Sequence, residues 1–596
     1  FDTDETYGGT FGGPLIEDRL FFFVNYEKTT FSGVGTNFGP TGSGATNIVP
    51  ITQAQIDEVI AISRDVWGWD PGILQVPESL DTISEEYAIK LDWNITDQHR
   101  ANFRYSSSDQ SQANVVGFGN NSLALSGYLY QRDFKFDTTT AQLFSDWTDT
   151  FSTEFKLSYR DYSAVRTPVD DRPAIGVRIG NAFLNLGTEE NTQANILETE
   201  TWNSYFIGNW FLGDHEVKFG VDYENNDIYN LFGRRINGVY TFNSIADYRA
   251  GRSSRYQLFA PAGGNLDNMA AIWGLDNVGL FLQDTWSVDY NLTFTYGLRI
   301  DTPSVDEEPV YNAAASTAFG FDNRNTINGK ELIQPRFGFN YTFDSDRATQ
   351  LRGGLGLFQG ASASVWLSNP YSNNGLAYTD YFFSTGITRF DPDRADQLGL
   401  FTPGAGATQS IDFIDPDLAQ PAVWKANLAF DHELPWWGMV ASAEVILTSV
   451  EEGIYYQQLN LGNATAVGQE QIARPIANRT RIGELLGDGH RRRGCGDIVD
   501  APTANGMVGA ASSLVEAAAR EDVARAQCHA IAAGDALGPD GRGSRTGGRR
   551  SLHRELEAKG ATVGQTVPHH LDAGDWRHRR GFRPPASAGS QHGSGQ

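Results

Sequence analysis

Apolar and polar positions alternate with a period of two along most of the first 470 residues, and the alternating runs come in pairs. The clearest pair sets Tyr87, Ile89, Leu91 and Trp93 against Ala88, Lys90, Asp92 and Asn94. After a polar break at 96–99, Ala101, Phe103 and Tyr105 return against Asn102, Arg104 and Ser106. A period of two interrupted by a short polar turn predicts an antiparallel hairpin with one apolar and one polar face. The stretch GGTFGGPLIEDRLFFFVNY at 8–26 follows the same plan, turning at 16–19. So do 141–159, 202–223, 278–298, 337–357 and 424–447, which brings the count to seven hairpins and about fourteen strands.

The turns within these pairs are short, while the connections between them are long: 27–85, 107–137, 162–200, 225–275, 302–333 and 359–421. Loops in soluble domains have a median of about 4–6 residues, and nothing in a soluble sheet would sort turn length so strictly. Trp93, Trp147, Trp210, Trp286, Trp436 and Trp437 all stand beside the short turns, as an aromatic girdle at one membrane interface would. The pattern predicts an all-β fold, a transmembrane antiparallel β-barrel with short periplasmic turns and long extracellular loops, set in the cell outer membrane. One helix is expected inside the first long loop. There Thr52 and Gln55 have capping-box spacing, and Ile56, Val59 and Ile60 follow at helical spacing. The rest of 27–50 reads as loop.

Charge assigns the two faces. Lys90, Arg104, Lys156, Arg160, Lys218, Arg299 and Arg352 alternate with the apolar series. A basic side chain facing lipid at the bilayer midplane costs about 2–4 kcal/mol, so these seven are candidates for a water-filled lumen. Tyr378, Tyr381 and Phe382, in the last long loop, are candidates for ligand contact at the outer mouth.

Composition divides the chain near residue 468. Residues 471–596 carry 18 Lys+Arg against 13 Asp+Glu, both cysteines (Cys495, Cys528) and only 2 of the 72 aromatics, in a chain whose formal net charge is −27. Alternation stops there. The expected organisation is a partial barrel at 1–468 and an unrelated Arg/Ala/Gly-rich tail at 469–596, of the kind a reading-frame change produces, with a disordered tail or a genuine basic domain as the alternatives. No apolar run approaches the roughly 18–20 residues of a spanning helix, and no signal segment stands at Phe1.

Catalytic motifs are absent: there is no Gly-x-Ser-x-Gly, His-Glu-x-x-His or phosphate-binding glycine loop. We therefore expect no enzyme, no catalytic residues and no cofactor. The acidic stretches 301–308 and 391–396 offer oxygen donors of the kind Ca²⁺ takes, but at no EF-hand spacing. His99, His215 and His432 are isolated, and the tail's arginine clusters lack the interleaved aromatics of a nucleic-acid surface.

Four segments together carry a resemblance: GGTFGGPLIEDRLFFFVNYE, KLDWNITDQHRANFRYS, LFLQDTWSVDYNLTFTYGLRID, and the run from DPDLAQPAVWKANLAF to EEGIYYQQLNL. In this order they resemble TonB-dependent outer-membrane transporters of the Oar-like branch, over about residues 1–465. The resemblance implies a barrel of 22 strands around a plug, of which about 14 are present, with the first hairpin following the plug. It also implies TonB-dependent uptake of a scarce solute or peptide, with outer-membrane lipid and the TonB complex as partners, the latter through a plug that is not in this sequence. Two other readings stay open: a barrel-anchored surface protein for adhesion or secretion, and a plain porin.

Overall fold

The computed structural model describes residues 3–32, 35–74, 81–361, 363–384, 390–392, 407–408 and 410–460. The tail expected at 469–596 lies outside them. Fourteen strands form one antiparallel sheet in strict chain order: Thr3–Ile16, Leu20–Ser32, Thr82–Asn94, His99–Asn114, Tyr130–Thr148, Phe151–Pro168, Asn195–Leu212, His215–Phe232, Ala270–Ser287, Leu292–Val305, Leu332–Thr342, Thr349–Gln359, Ala422–Glu433 and Val440–Glu452. Each expected hairpin is present. Many strands run further than the alternation implied, reaching 19 residues at Tyr130–Thr148.

The register puts the apolar series on one face. A single row joins Leu20, Trp93, Ala101, Leu143, Phe155, Phe206, Val221, Leu280, Ile300 and Ile333 across ten consecutive strands. Its large members stay uncovered: Leu280 is 53% and Ile333 55% exposed. Apolar patches on water-soluble monomers seldom exceed about 300–600 Å², and a ten-strand row with rows above and below is far larger. Lipid is the environment this face requires. The other face carries the row Phe23, Lys90, Arg104, Thr140, Ser158, Asn203, Glu224 and Asn277. The seven short turns stand side by side along one rim. Asn94 N–H donates to Arg19 O (2.7 Å), Phe211 N–H to Thr150 O (2.8 Å) and Ser287 N–H to Asp214 O (2.8 Å). Among the described residues, strand Thr3–Ile16 pairs only with its successor and Val440–Glu452 only with its predecessor, which leaves the open edges that fourteen strands of a larger cylinder would have.

The long connections are not irregular loops. Segments from four of them build a second, seven-stranded mixed sheet, in the order Ala407–Thr408, Tyr378–Phe383, Arg255–Pro261, Val239–Phe242, Ala174–Ile179, Ala182–Leu186, Ser122–Ala124. A fifth, within 27–85, contributes a parallel pair, Phe38–Thr41 with Asn47–Thr52, and the helix Gln53–Asp65. The expectation of loop over 27–50 is thus corrected. Val49 and Ile51 are fully buried, and that burial holds the pair in place. The capping box is present, with Gln55 N–H on Thr52 Oγ1 (3.3 Å) and Thr52 N–H on Gln55 Oε1 (2.9 Å). Ile56, Val59 and Ile62 then face a core of Ile175, Val177, Leu184, Leu186, Tyr240, Phe242 and Tyr256.

Candidate functional site

The polar face of the wall is a lattice of ion pairs and side-chain hydrogen bonds. At its centre Arg299 bridges two carboxylates on both sides: Asp222 at 2.5 and 2.9 Å, and Asp301 at 2.6 and 2.7 Å. Asp301, 2% exposed, also accepts from Asn277 Nδ2 (3.2 Å) and from Gln334 Nε2. Five partners from four neighbouring strands meet here because Gly279 leaves the space. A Cβ at residue 279 would lie 2.7 Å from the Asp222 oxygens and against the Arg299 guanidinium.

The other basic candidates share this face. Lys90 stands opposite Arg104 in the ladder and is bound to Asp92 (2.8 Å). Lys156 lies over the Tyr205 ring at 5.6 Å, where Tyr205 OH and Gln142 Nε2 both donate to Glu154. Arg160 donates to Thr201 Oγ1 (3.1 Å), which donates to Asn226 (2.6 Å). Lys218 stands across from Asn209 and Gln283, and Arg352 pairs with Asp431 (3.1 Å). The fold distributes the seven along the wall rather than converging them on one point.

The loop aromatics fall on a strand, not a free loop. Tyr378–Phe383 pairs with Arg255–Pro261, so alternate side chains part to opposite faces. Tyr378 is 6% exposed, stacked on Phe259 at 4.7 Å, with its hydroxyl donating to Asn373 Oδ1 (3.0 Å). The expectation that Tyr378 meets a ligand is therefore corrected, because its ring is packed in a core. Tyr381 packs against the core of the second sheet. Phe382 is 40% exposed, with the Arg255 guanidinium 5.0 Å from its ring centre and Gln257, bonded to Asp380 (3.2 Å), beside it. On the same sheet face Arg178 covers Phe183 at 5.2 Å. The sequence reading missed this sheet. One signal was present, the Gly180-Asn181 turn between the apolar runs AIGVRI and AFLNL, a two-residue hairpin marker; Gly180 takes φ 64°.

Electrostatics in the loop-built region are uneven. Burial pushes the Glu189 carboxyl above its ordinary range, even though Asn191 donates to it twice at 2.8 Å. Burial likewise raises Asp412, against the hydrogen bond from Asn373 (2.8 Å). Arg324 holds Asp322 below its ordinary value through side-chain and backbone hydrogen bonds. Among the described residues no three acidic, histidine or cysteine side chains converge as a metal site would need. Asp301, in the first acidic stretch, is occupied by Arg299, and 393–396 of the second lie outside the described residues.

Solved structures similar to this chain include the outer membrane transporter YddB from Escherichia coli (TM-score 0.47, 12% identity, covering 75% of this chain and 46% of that one). A mutant of the ferric enterobactin receptor PfeA from Pseudomonas aeruginosa gives a TM-score of 0.42 and 13% identity, covering 75% and 50%. The siderophore receptor PirA from the same organism gives 0.40 and 11%, covering 79% and 56%. The chain thus spans about half the length of these structures. No curated protein sequence matches it. A family model described as outer membrane beta barrel domain matches residues 70–491. With that match, the lipid-facing row and the polar, ion-paired opposite face, the chain belongs to the outer membrane beta-barrel domain family, and it resides in the outer membrane.

Proposed function

We propose that this chain is the barrel portion of a TonB-dependent transporter of the Oar-like branch, taking up a scarce solute or peptide through a plugged lumen. The observation that carries this reading is the polar face. At its centre and at Lys90 and Arg352 the charges are held in mutually paired positions, as Arg299 is by Asp222 and Asp301, and this suits a wall packed against a plug better than an open water channel. Lys90, Arg104, Lys156, Arg160, Lys218, Arg299 and Arg352 line the lumen in this reading, and Phe382 with Arg255 offers the outer ligand contact.

Uptake of a fluorescently labelled peptide mixture by cells carrying the intact gene, with and without tonB, tests the proposal. Uptake that vanishes without TonB is the expected result; uptake that is indifferent to TonB overturns it. Steady ion conductance of the intact product in planar bilayers would favour a porin instead. One observation favours a second reading, a surface protein anchored by the barrel: the connections form their own sheet with its own core. That reading predicts cell-surface binding that persists without TonB. A binding assay in which Tyr381→Ala and Phe382→Ala leave affinity unchanged removes the loop contact from either reading.

A further inference from the structure

The cations of the polar face are not all compensated alike. Arg299, Arg352 and Lys90 each hold a carboxylate, Arg160 a threonine hydroxyl and Lys156 a tyrosine ring. Lys218 stands between the amides Asn209 and Gln283. Arg104 is exposed, and among the described residues its guanidinium has no acid, other acceptor or ring as partner. Directly opposite it in the ladder stands a second cation, Lys90. Like charges opposed on neighbouring strands destabilise a sheet, and the nearby Asp92 is already on Lys90 at 2.8 Å. The same row runs on to a ring on one side and to two hydroxyls on the other. Phe23, opposite Lys90, is 42% exposed although it lies on the polar face. Thr140 and Ser158, next after Arg104, share a hydrogen bond of 3.1 Å. One same-face step toward the loops, Ala88, Ser106 and Thr138 are all short, and they leave the guanidinium open.

We infer that this row binds the C-terminal end of a peptide, with the free carboxylate on Arg104 and an apolar last side chain on Phe23. The inference rests on the proposal above that the polar face lines a lumen through which a solute passes, and it names what that solute carries. An unpartnered guanidinium takes a carboxylate through two parallel hydrogen bonds. Lys90 beside it adds charge to the same oxygens, so the opposed cations are held together by the ligand rather than repelling each other. Strand spacing of about 4.8 Å puts Phe23 about 10 Å from Arg104, backbone to backbone. Two long side chains close that span to the distance between a carboxylate and the side chain on its own Cα. Thr140 and Ser158 carry hydroxyls that both donate and accept, as the last peptide unit requires. A small inorganic anion would use the cations and leave the ring and the hydroxyls idle.

The test is isothermal titration calorimetry of the full chain folded in micelles, with N-acetyl-Ala-Ala-Phe and with its C-terminal amide, which differ only in the carboxylate. The acid is expected to bind at least about tenfold more tightly than the amide, the margin of a charge-assisted hydrogen-bond pair. Arg104→Gln should abolish that margin while its urea midpoint stays level or rises, because the opposed cation is gone. Arg104→Lys should keep part of the margin, and Phe23→Ala should weaken acid and amide by the same factor. Equal binding of acid and amide, binding of neither, or an unchanged margin in Arg104→Gln overturns the inference. A lowered midpoint in Arg104→Gln overturns it by making the arginine structural. Inorganic phosphate bound more tightly than the acid overturns it in favour of a phosphate site. None of these outcomes depends on TonB, so failure of the site and failure of TonB-dependent uptake are read separately.

Discussion

Single residues decide how the polar face is held. Arg299 could be placed on that face from alternation alone, and alternation also sets Asp301 beside it two positions on; Asp222 lies 77 positions away, and only the ladder register brings it in. Removing the cation leaves Asp301 buried and uncompensated, so Arg299→Ala is expected to destabilise the wall by about 3–5 kcal/mol, read as a lower urea midpoint of protein folded in micelles. Gly279→Leu should fail similarly, since the new side chain occupies the space of the ion pair. Glu189 is the titrating position. Its folded-state carboxyl is raised above the ordinary 4.5, so the folded form holds a proton that the unfolded form has released. That contribution is present below the unfolded value and is lost as pH rises through the folded one. Hydrogen exchange across 188–195, corrected for intrinsic rate, should therefore report easier opening toward neutral pH, and Glu189→Gln should flatten the dependence.

At the scale of elements, the hairpins were legible because each strand carries its own two-residue period, and that period survives any tertiary arrangement. The capping box at Thr52 and Gln55 was legible for the same reason: it is satisfied within four residues. The second sheet was not. Its strands are short, with Ser122–Ala124 three residues long and Val239–Phe242 four, too few for alternation to register, and three of their six pairings join separate connections. Only the Gly180-Asn181 turn announced itself locally. Tyr378 shows the consequence: it shares a sheet face with exposed Phe382, and only the packing of Phe259, Met269 and Leu231 around it makes it a core aromatic. Tyr378→Ala is expected to cost about 3–5 kcal/mol of local stability and to expose 376–384 to protease, whereas Phe382→Ala should leave cleavage unchanged.

For the whole molecule, the assignment of lipid and lumen faces makes an asymmetric prediction. Leu280→Arg puts a charge in the ten-strand apolar row and should cost about 2–4 kcal/mol of folding into bilayers. Asn203→Arg puts the same charge beside Glu224 on the opposite face and should cost far less; equal penalties in lipid-vesicle refolding would reject the assignment. By itself the sequence determined the seven hairpins, the polarity of each face and the sorting of short turns from long connections. These follow from side-chain period and turn composition, which are local properties. Tertiary structure alone decided which charges meet, that the connections fold into a sheet with a buried core, and that Arg104 faces Lys90 with no acid of its own. Most of those relations join residues tens to hundreds of positions apart, and only the pairing and packing of distant segments sets them.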